Sequence, residues 1–502
     1  MEVTNNLSAR EVKTSSYSSI SLKSLFPQLF YLLTVSFILL CSCADDHVRS
    51  KNILFIIADD LNDNLGVYDH YLVKTPNIDR LAERGMLFNK TYCNFPLCGP
   101  SRASMMTGLY PDQTGHHQLR DYIRDHVPEV VTMSQAFMNA GYEATRVGKI
   151  YHYDNPRGIG TTGHDDSLSW NRRYYPRGVD KELEDQIFTL SPGRFGATLS
   201  WLATEEGGEQ HTDGLVATQA IELLSEYKDS QKPFFLGVGF YKPHTPYVAP
   251  KEYFEMYDPS EIVVPSVPEG YFSTIPEPAV KYLTRWDVQN NLPDSVKRSA
   301  IHAYYATISF LDDQVGRVVD ALDSLGLSDN TIIVFTSDHG YHMGEHDYFQ
   351  KLTLFENSGR IPLIIYDPDI ANGGSTTDSF VEMIDFYPTL CELARVPTPE
   401  YLAGKSLVPI LKDADREIRE SILTQVYSDY TVRTKDYRFT RWGEGGPGML
   451  ELYDLKKDPQ EMINLANEEA YTEIINQMSY LLDQRIEEAN QPPVGLRVLP
   501  AE

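Results

Sequence analysis

The chain has 502 residues, with 44 Lys or Arg against 71 Asp or Glu, which gives a formal net charge of −27. A hydrophobic content of 42% with 32 Gly and 30 Pro is ordinary globular composition, and it excludes a collagen, a disordered tail and a polytopic membrane protein. The acidity argues against a nucleic-acid partner, because such binding depends on Lys and Arg neutralising phosphates. The length predicts one large domain with a smaller one beside it.

Residues 1–43 have the pattern of an export leader. A weakly basic, Ser-rich lead precedes an apolar run at 29–40, which is shorter than the roughly 20 residues that a membrane span needs. The run continues into Leu-Cys-Ser-Cys, which resembles a bacterial lipobox and implies that Cys43 becomes a lipidated N-terminus. We therefore expect an exported protein, anchored in membrane lipid at the bacterial outer membrane, at the cell surface or in the periplasm. A plain secretory signal cut nearby is the alternative.

From residue 51 onward, continuous apolar runs alternate with helical patterns. Runs typical of strands covered on both faces lie at 51–58, 233–240, 331–336 and 361–366. Apolar residues recur at helical spacing at 77–84, 213–228 and 299–325. The alternation predicts an α/β fold with a large, mostly parallel sheet flanked by helices.

Two long irregular stretches, at 153–207 and 242–278, interrupt this pattern, and we expect them to be functional loops. The texture changes near 412–419, beyond which residues 430–455 predict antiparallel strands and 470–488 a helix. We therefore expect a small C-terminal α+β domain with an antiparallel sheet.

Two of the predicted strands end in acidic residues. Asp59 and Asp60 follow the first, and Asp338 and His339 follow the third. Because the carboxyl ends of parallel strands meet at one edge, three carboxylates and an imidazole are expected to lie together. Carboxylates cannot remain charged side by side without a cation, and oxygen ligands favour Ca²⁺ or Mg²⁺. Each of the two pairs, Asp59-Asp60 and Asp338-His339, could by itself be a helix N-cap or a solvated turn. The two pairs together favour a metal site.

Cys98 begins the segment Cys-Gly-Pro-Ser-Arg, followed by a helical run. We expect Cys98 at a helix N-terminus, where the dipole and free N–H groups favour an anion, with the guanidinium of Arg102 suited to an oxyanion. A buried small hydrophobe is the alternative for an isolated Cys. Of the other cysteines, Cys93 and Cys391 are too few and too distant for a disulfide framework, and their pairing stays open.

The segment Cys-x-Pro-Ser-Arg with Thr107-Gly108 resembles the formylglycine signature of type I sulfatases, in the alkaline phosphatase superfamily. Other motifs support the resemblance in the expected order. They are Asp59-Asp60, Gly148-Lys149 with His152, Lys242-Pro-His244, Ser337-Asp338-His339-Gly340 with Gly344-Glu345-His346, Lys351, and Leu452-Tyr-Asp-Leu with Asp458-Pro and Asn464-Leu. The resemblance spans about 50–490. It implies the alkaline-phosphatase-like sulfatase fold, with a leader at 1–43, a catalytic domain at 44–412 and the small α+β domain at 413–502.

Within that family the likeness is greatest to the iduronate-2-sulfatase branch. His339 stands where most sulfatases have Asn, and Lys149-x-x-His152 replaces a Lys-x-His pair. An imidazole is a poorer partner than oxygen for a hard cation, so metal coordination by His339 is the least certain of the set. Met106 and Leu109 also depart from the usual signature, outside its Cys-x-Pro-Ser-Arg core.

The resemblance implies that a formylglycine-generating enzyme or an anaerobic maturase oxidises Cys98 to formylglycine (3-oxoalanine), whose hydrate attacks sulfur. Ca²⁺, in preference to Mg²⁺, would be held by Asp59, Asp60, residue 98, Asp338 and His339. Arg102, Lys149 and Lys351 would bind the sulfate oxygens. Asp338 would accept a proton from the nucleophile, His244 would protonate the leaving sugar oxygen, and His152 would be the base that regenerates the aldehyde. His346 is expected to be structural.

For substrate binding, the candidates are Arg172, Arg173 and Arg177 in the first irregular stretch, which offer guanidinium groups for carboxylate or sulfate. An exposed insertion without ligand contact explains them equally well. The expected substrate is a sulfated, uronate-containing polysaccharide or its oligosaccharides, such as ulvan, followed by glycosaminoglycans and algal galactans. Competing hypotheses are a phosphonate or phosphodiester hydrolase of the same superfamily and a polysaccharide-binding lipoprotein without turnover.

Overall fold

The structure is a computed structural model that describes residues 13–16 and 50–499. The predicted lipidation at Cys43 and the apolar run before it lie outside these residues. Residues 50–499 belong to one compact unit. The predicted boundary at 412 lies inside that unit and stays a prediction. No helix within the described ranges is both long enough and apolar enough to cross a bilayer.

Eighteen strands and fourteen α-helices make up the described part of the chain. The strands are β1 (Asn52–Asp59), β2 (Met86–Tyr92), β3 (Glu143–Gly148), β4 (Arg172–Tyr174), β5 (Phe188–Thr189), β6 (Ser200–Thr204), β7 (Phe234–Pro243), β8 (Tyr247–Pro250), β9 (Thr331–Ser337), β10 (His342–Met343), β11 (Phe349–Gln350), β12 (Arg360–Tyr366), β13 (Ser375–Thr377), β14 (Val381–Glu382), β15 (Ile422–Val426), β16 (Asp429–Arg433), β17 (Tyr437–Arg441) and β18 (Leu450–Asp454). The helices are α1 (Pro76–Arg84), α2 (Cys98–Thr107), α3 (Pro111–Thr114), α4 (Ile123–His126), α5 (Met133–Asn139), α6 (Val179–Glu182), α7 (Thr212–Lys228), α8 (Lys251–Glu255), α9 (Glu277–Leu283), α10 (Asp294–Ser324), α11 (Glu356–Gly359), α12 (Phe386–Ala394), α13 (Val408–Lys412) and α14 (Thr472–Asn490).

A nine-stranded sheet runs through the molecule in the order β13-β2-β12-β9-β1-β7-β3-β4, with β14 also paired to β2. Strand β1 lies between β7 and β9 and is parallel to both. Strand β12 is antiparallel to its two neighbours. The predicted α/β class with a mostly parallel sheet is confirmed, and β12 is the exception that an apolar run alone does not reveal.

Helices cover both faces of this sheet. Along β1, Leu54 and Ile56 pack into the cluster that contains residues of α7 and α10. Their neighbours Ile53, Phe55 and Ile57 pack into the cluster that contains residues of α2, α5 and α12. Because successive side chains of a strand point to opposite faces, both faces of β1 are apolar, and its run is therefore continuous rather than alternating.

The four strands β15–β18 form an antiparallel sheet, and α14 packs on it through a separate apolar cluster. This confirms the predicted C-terminal antiparallel sheet and helix. The two stretches expected to be irregular contain short elements instead, namely β4–β6 and α6 in the first and β8 and α8 in the second. Elements of two to five residues are too short to produce a readable period. Cys93 and Cys391 are both buried and free.

A buried ion pair joins α14 to the main sheet. Arg485 on α14 donates to Glu382 on β14 at 2.8 Å, and Glu382 also accepts from the Tyr110 hydroxyl and the Leu423 N–H. Burial raises the pKa of Glu382, but the guanidinium groups of Arg485 and Arg419 outweigh it and hold that pKa below its usual value. Arg485 therefore compensates a carboxylate that stays charged in the interior.

Replacing Arg485 by Met should lower the free energy of unfolding by about 3 kcal/mol, because it leaves the buried Glu382 with only the more distant Arg419, at 3.5 Å, to compensate its charge. Arg441→Met, which removes an exposed pair with Asp483 on the same helix, should cost about 0–1 kcal/mol. Urea denaturation of both variants measures the difference. Equal losses would mean that the buried pair does not hold α14 to the sheet.

Candidate active site

The ends of two neighbouring strands bring the predicted acidic residues together. Ala58 pairs with Ser337 in the register of β1 and β9, so Asp60 and Asp338 leave the sheet at the same edge. The Asp60 N–H donates to Asp338 Oδ1 at 3.1 Å. The side chains of Asp59, Asp60, Asp338 and His339 are all buried. Residues at the ends of two strands that are far apart in the sequence thus form one acidic cluster.

Cys98 is the first residue of α2 and lies against this cluster. Its Sγ is 3.3 Å from His339 Nε2, 3.4 Å from Lys351 Nζ and 3.9 Å from Asp60 Oδ1. The next residue, Gly99, packs so closely that an added Cβ would lie 2.7 Å from the Gln118 carbonyl oxygen. A side chain at position 99 would therefore displace the first turn of α2, and with it Cys98.

The donor atoms of the cluster suit a divalent cation. Ligand atoms of Asp60, Cys98, Asp338 and His339 lie within 4.8 Å of one another. Asp60 Oδ2 is buried and has no hydrogen-bond partner among the described residues, and the Asp60 backbone has the unusual φ of 63°. His339 Nδ1 lies 2.8 Å from the Gly340 carbonyl oxygen, so Nδ1 carries the hydrogen and Nε2 faces the carboxylates. The residues present therefore fit a metal ion.

Arg102 lies entirely buried beneath the carboxylates. Its Nε donates to Asp338 at 2.9 Å and its Nη2 to Asp59 at 3.2 Å. The remaining N–H groups donate to the carbonyl oxygens of Ala58, Lys149 and Ile150. With its donors used inside the protein, Arg102 is not placed to bind sulfate as the sequence suggested. It positions Asp59 and Asp338 instead, and despite burial it holds the pKa of Asp338 well below its usual value.

Two lysines pair with carboxylates of this acidic cluster. Lys149 Nζ is hydrogen-bonded to Asp59, and Lys351 Nζ donates to Asp60 Oδ1 at 2.5 Å. Burial raises the pKa of Asp59, but Lys149 outweighs it and the net shift is downward. For Asp60 burial prevails over Lys351, and the pKa is raised. Asp60 is therefore the carboxylate least compensated by the protein itself, which is consistent with its unpartnered Oδ2.

A cavity of about 690 Å³ opens onto Cys98, and His152, His244 and Lys351 also line it. His244 Nε2 lies 3.7 Å from Asp60 Oδ2, and its Nδ1 lies 2.5 Å from the Thr245 carbonyl oxygen. Burial lowers the pKa of His244 well below its usual value. The cavity thus brings the candidate acid, the candidate base and residue 98 to one space.

The three arginines predicted to bind substrate do not line this cavity. Arg172 is in the edge strand β4, where it pairs with Glu226 at 2.6 Å and with Glu143. Arg173 lies 3.5 Å from Asp165. Arg177 is exposed and is also absent from the cavity wall. Their role in substrate binding stays a prediction, with no contact here that supports it.

Sequence reasoning missed a different set of cations, which line the cavity around Cys98. They are Arg120, Arg157, Lys181, Arg194 and Arg285. They come from separate segments and share no motif, so no sequence pattern unites them. The one indication in the sequence was the first irregular stretch, at 153–207, which was expected to be functional. It contains three of these five cations, Arg157, Lys181 and Arg194.

The chain matches the family model described as Sulfatase over residues 51–396, and the one described as N-sulphoglucosamine sulphohydrolase, C-terminal, over 344–488. It is 32% identical to human iduronate 2-sulfatase, over 85% of this chain and 92% of that protein. It is 31% identical to a sulfatase of Formosa agariphila, over 87% of each. The phosphonate monoester hydrolase of Agrobacterium radiobacter shares the fold, with a TM-score of 0.73 and 23% identity over 87% of this chain and 96% of that one. The chain therefore belongs to the sulfatase family, the sulfuric ester hydrolases of the alkaline-phosphatase-like fold.

Proposed function

We propose that this chain hydrolyses sulfate esters of an anionic carbohydrate, using a formylglycine made from Cys98 and a divalent cation, Ca²⁺ rather than Mg²⁺. The observation that carries the proposal is the position of Cys98, with Sγ within 4 Å of Asp60, His339 and Lys351 at the floor of an open cavity. A thiol with only a structural role has no need of two cationic or metal-binding partners beside an acidic cluster.

Asp59, Asp60, Asp338 and His339 would hold the cation. The cation supplies positive charge against the sulfate oxygens, and formylglycine at residue 98 supplies the oxygen nucleophile for sulfur. Ca²⁺ accepts irregular oxygen geometry, whereas Mg²⁺ demands a near-octahedral set, and this favours Ca²⁺ for a group that includes an imidazole. Arg102 keeps Asp59 and Asp338 ionised and oriented through two direct hydrogen bonds.

Lys149 and Lys351 would bind the sulfate oxygens. Their ammonium groups are paired with Asp59 and Asp60 in the described structure. Once those carboxylates share their charge with a cation, the ammonium groups are free to meet the sulfate. Lys351 is the better placed, because it lines the cavity and reaches Cys98 Sγ. Their charge would stabilise the negative charge that develops in the transition state.

His244 and His152 are the proton-transfer candidates, since both line the cavity beside Cys98. The contact of His244 Nδ1 with the Thr245 carbonyl orients its ring and leaves Nε2 facing the reaction space. We assign His244 the protonation of the departing sugar oxygen and His152 the removal of the proton that regenerates the aldehyde. Burial keeps His244 neutral, so the negative charge of bound sulfate would favour its acidic form.

The cations around the cavity support a substrate with more than one negative charge. Arg120 and Arg157 both pair with Asp154, and Lys181 pairs with Glu184. Arg194 and Arg285 form no ion pair with any described residue, although the protein carries a net charge of −27. Trp286 also lines the cavity and offers an apolar face for a sugar ring.

We therefore propose a sulfated carbohydrate with a second anionic group, a carboxylate or another sulfate. The name of the human relative, iduronate 2-sulfatase, supports a uronate. Ulvan or its oligosaccharides remain our first choice, before glycosaminoglycans and algal galactans. Export, cleavage and lipidation at Cys43 complete the proposal, supported by the 29–40 apolar run and the Leu-Cys-Ser-Cys motif.

The protein should carry formylglycine when it is produced with a competent maturase. The tryptic peptide containing residue 98 should then weigh about 18 Da less than the unmodified peptide. Cys98→Ala should abolish hydrolysis of an aryl sulfate, whereas Cys391→Ala, another buried free Cys, should leave it intact. A phenylphosphonate ester serves as comparator. Faster turnover of the phosphonate, or an unmodified thiol, would contradict the proposal.

Calcium should stabilise the protein through Asp60. After chelation, adding Ca²⁺ to about 100 times its Kd should raise the free energy of unfolding by about 2.7 kcal/mol. Asp60→Asn should remove this gain, because it deletes a charged ligand. Asp69→Asn is the matched control, since Asp69 has a similar positive φ but is exposed. Thermal denaturation with Ca²⁺ or Mg²⁺ measures both, and an equal gain in Asp60→Asn would contradict the assignment.

Arg194→Ala and Arg285→Ala should each raise KM for a carboxylated or multiply sulfated oligosaccharide by roughly tenfold, because each removes a charge-assisted hydrogen bond. KM for a small aryl sulfate should stay unchanged, since it has no second anionic group. Arg172→Ala tests the alternative from the sequence and should affect neither substrate. Steady-state kinetics on both substrates measures these effects. If only Arg172→Ala raises KM for the oligosaccharide, the substrate binds at β4 and not in the cavity.

A further inference from the structure

A second, smaller cavity lies beside the catalytic one, and His152 lines both. It measures about 210 Å³ and is also lined by Gly99, on the first turn of α2, and by His116, His164 and Asp121. We call this space the histidine chamber. It is separate from the cations of the catalytic cavity, and none of the roles assigned so far uses it.

Ring nitrogens of the chamber have no hydrogen-bond partner within the described ranges. Both nitrogens of His116, Nδ1 of His152 and Nδ1 of His164 are of this kind, while His152 Nε2 lies 3.4 Å from Asp154 Oδ1. Only 4% of His116 and 7% of His152 is exposed, so bulk solvent does not satisfy them. Buried polar groups in native proteins pair with protein or with ordered water, and a water occupies about 30 Å³ in the liquid. The chamber therefore has both the polar walls and the room for a small water cluster.

The chamber connects the catalytic cavity to an acidic group near the surface. The rings of His152 and His164 are stacked with centroids 5.6 Å apart, and the His164 N–H donates to the His152 carbonyl oxygen, which sets their spacing. At the far side, the His116 ring lies 6.3 Å from that of His126, whose Nε2 is 3.8 Å from Asp121. Burial lowers the pKa of His116 to about 4, so it does not retain a proton near neutral pH.

The other carboxylates of the chamber have arginine partners, although Asp165 Oδ1 is buried without a hydrogen-bond partner among the described residues. Asp165 pairs with Arg146 at 2.9 Å, and Asp166 pairs with Arg124 at 2.7 Å. Tyr122, Tyr151 and Ser167 also line the space, and the Tyr151 hydroxyl is hydrogen-bonded to Ser169 at 2.8 Å.

Asp121 has no Lys or Arg partner among the described residues and keeps a quarter of its side chain exposed. Asp154, the carboxylate beside His152 Nε2, is already paired with Arg120 and Arg157, so Asp121 is the group best placed to pass a proton to the solvent.

Sulfate ester hydrolysis releases a proton that has to leave the active site. Water adds to sulfur, the S–O bond to the sugar breaks, the sugar oxygen keeps one proton, and sulfate leaves as a dianion because hydrogen sulfate is a strong acid. One proton per turnover must therefore leave the site at neutral pH. The substrate would occupy the catalytic cavity, and Arg194 and Arg285, which line it without an ion pair to any described residue, would repel a departing proton.

We propose that the histidine chamber is the exit for this proton, which passes from His152 through ordered water and His164 to Asp121 and the solvent. The proposal rests on the proposed function, in which His152 is the base. It makes His164 a proton carrier and His116 a positioning residue that holds the ordered water, and neither lines the catalytic cavity.

The test compares the calcium-loaded, formylglycine-containing wild type with His164→Gln and His116→Gln. In dilute buffer, kcat on an aryl sulfate should fall about tenfold in each variant, with KM unchanged. Added imidazole should restore kcat, because a diffusible base replaces the lost proton carrier, and the solvent deuterium isotope effect on kcat should rise. His302→Gln is the control, since His302 bonds the Phe254 carbonyl away from both cavities.

Melting temperature and formylglycine content are measured for every variant, so that a misfolded protein is recognised and the other variant carries the test. An unchanged kcat, or a loss that imidazole does not restore in a folded variant, would overturn the exit. An inactive wild type would instead overturn the sulfatase proposal and the exit with it. Activity that depends on Cys98 but not on the two histidines would overturn the exit alone.

Discussion

The repulsion among three buried carboxylates is the constraint on which the rest of the site depends. Asp59, Asp60 and Asp338 are forced together by the register of β1 and β9, where burial alone would favour their protonation. The protein answers with three cations, each from a different segment. Arg102 lies beneath the group, while Lys149 and Lys351 contact its members directly. The balance is incomplete at Asp60, whose pKa is raised, and this is the charge that a metal ion would complete.

Much of this arrangement follows from local patterns. A continuous apolar run identifies a doubly covered strand, and the first polar residues after it fall at the sheet edge, so the acidic cluster was predictable from Asp59-Asp60 and Asp338-His339. The position of Cys98 at the start of a helix followed from the Pro two residues later. These inferences succeed because the end of a strand and the start of a helix are determined by residues that are close together in the sequence.

What sequence reasoning could not supply depends on distant partners. The direction of β12 is set by its place in the sheet, and an apolar run reads the same in either direction. The role of Arg102 depends on the carbonyl groups of Lys149 and Ile150, which reach it only after β3 is in place. The cations of the cavity come from unrelated segments, whereas Arg172 and Arg173, two of the three arginines predicted to bind substrate, form ion pairs in β4. Charge patterns in sequence do not reveal which charges are already paired.

The burial of α2 has a consequence for the order of events during biosynthesis. All ten residues of the helix are buried, and Cys98 itself is only 1% exposed. The proposed maturing enzyme would have little access to Cys98 once the helix is docked against the sheet. The proposed oxidation of the thiol would therefore have to precede the docking of α2, and a chain that folded first would keep an unmodified Cys98.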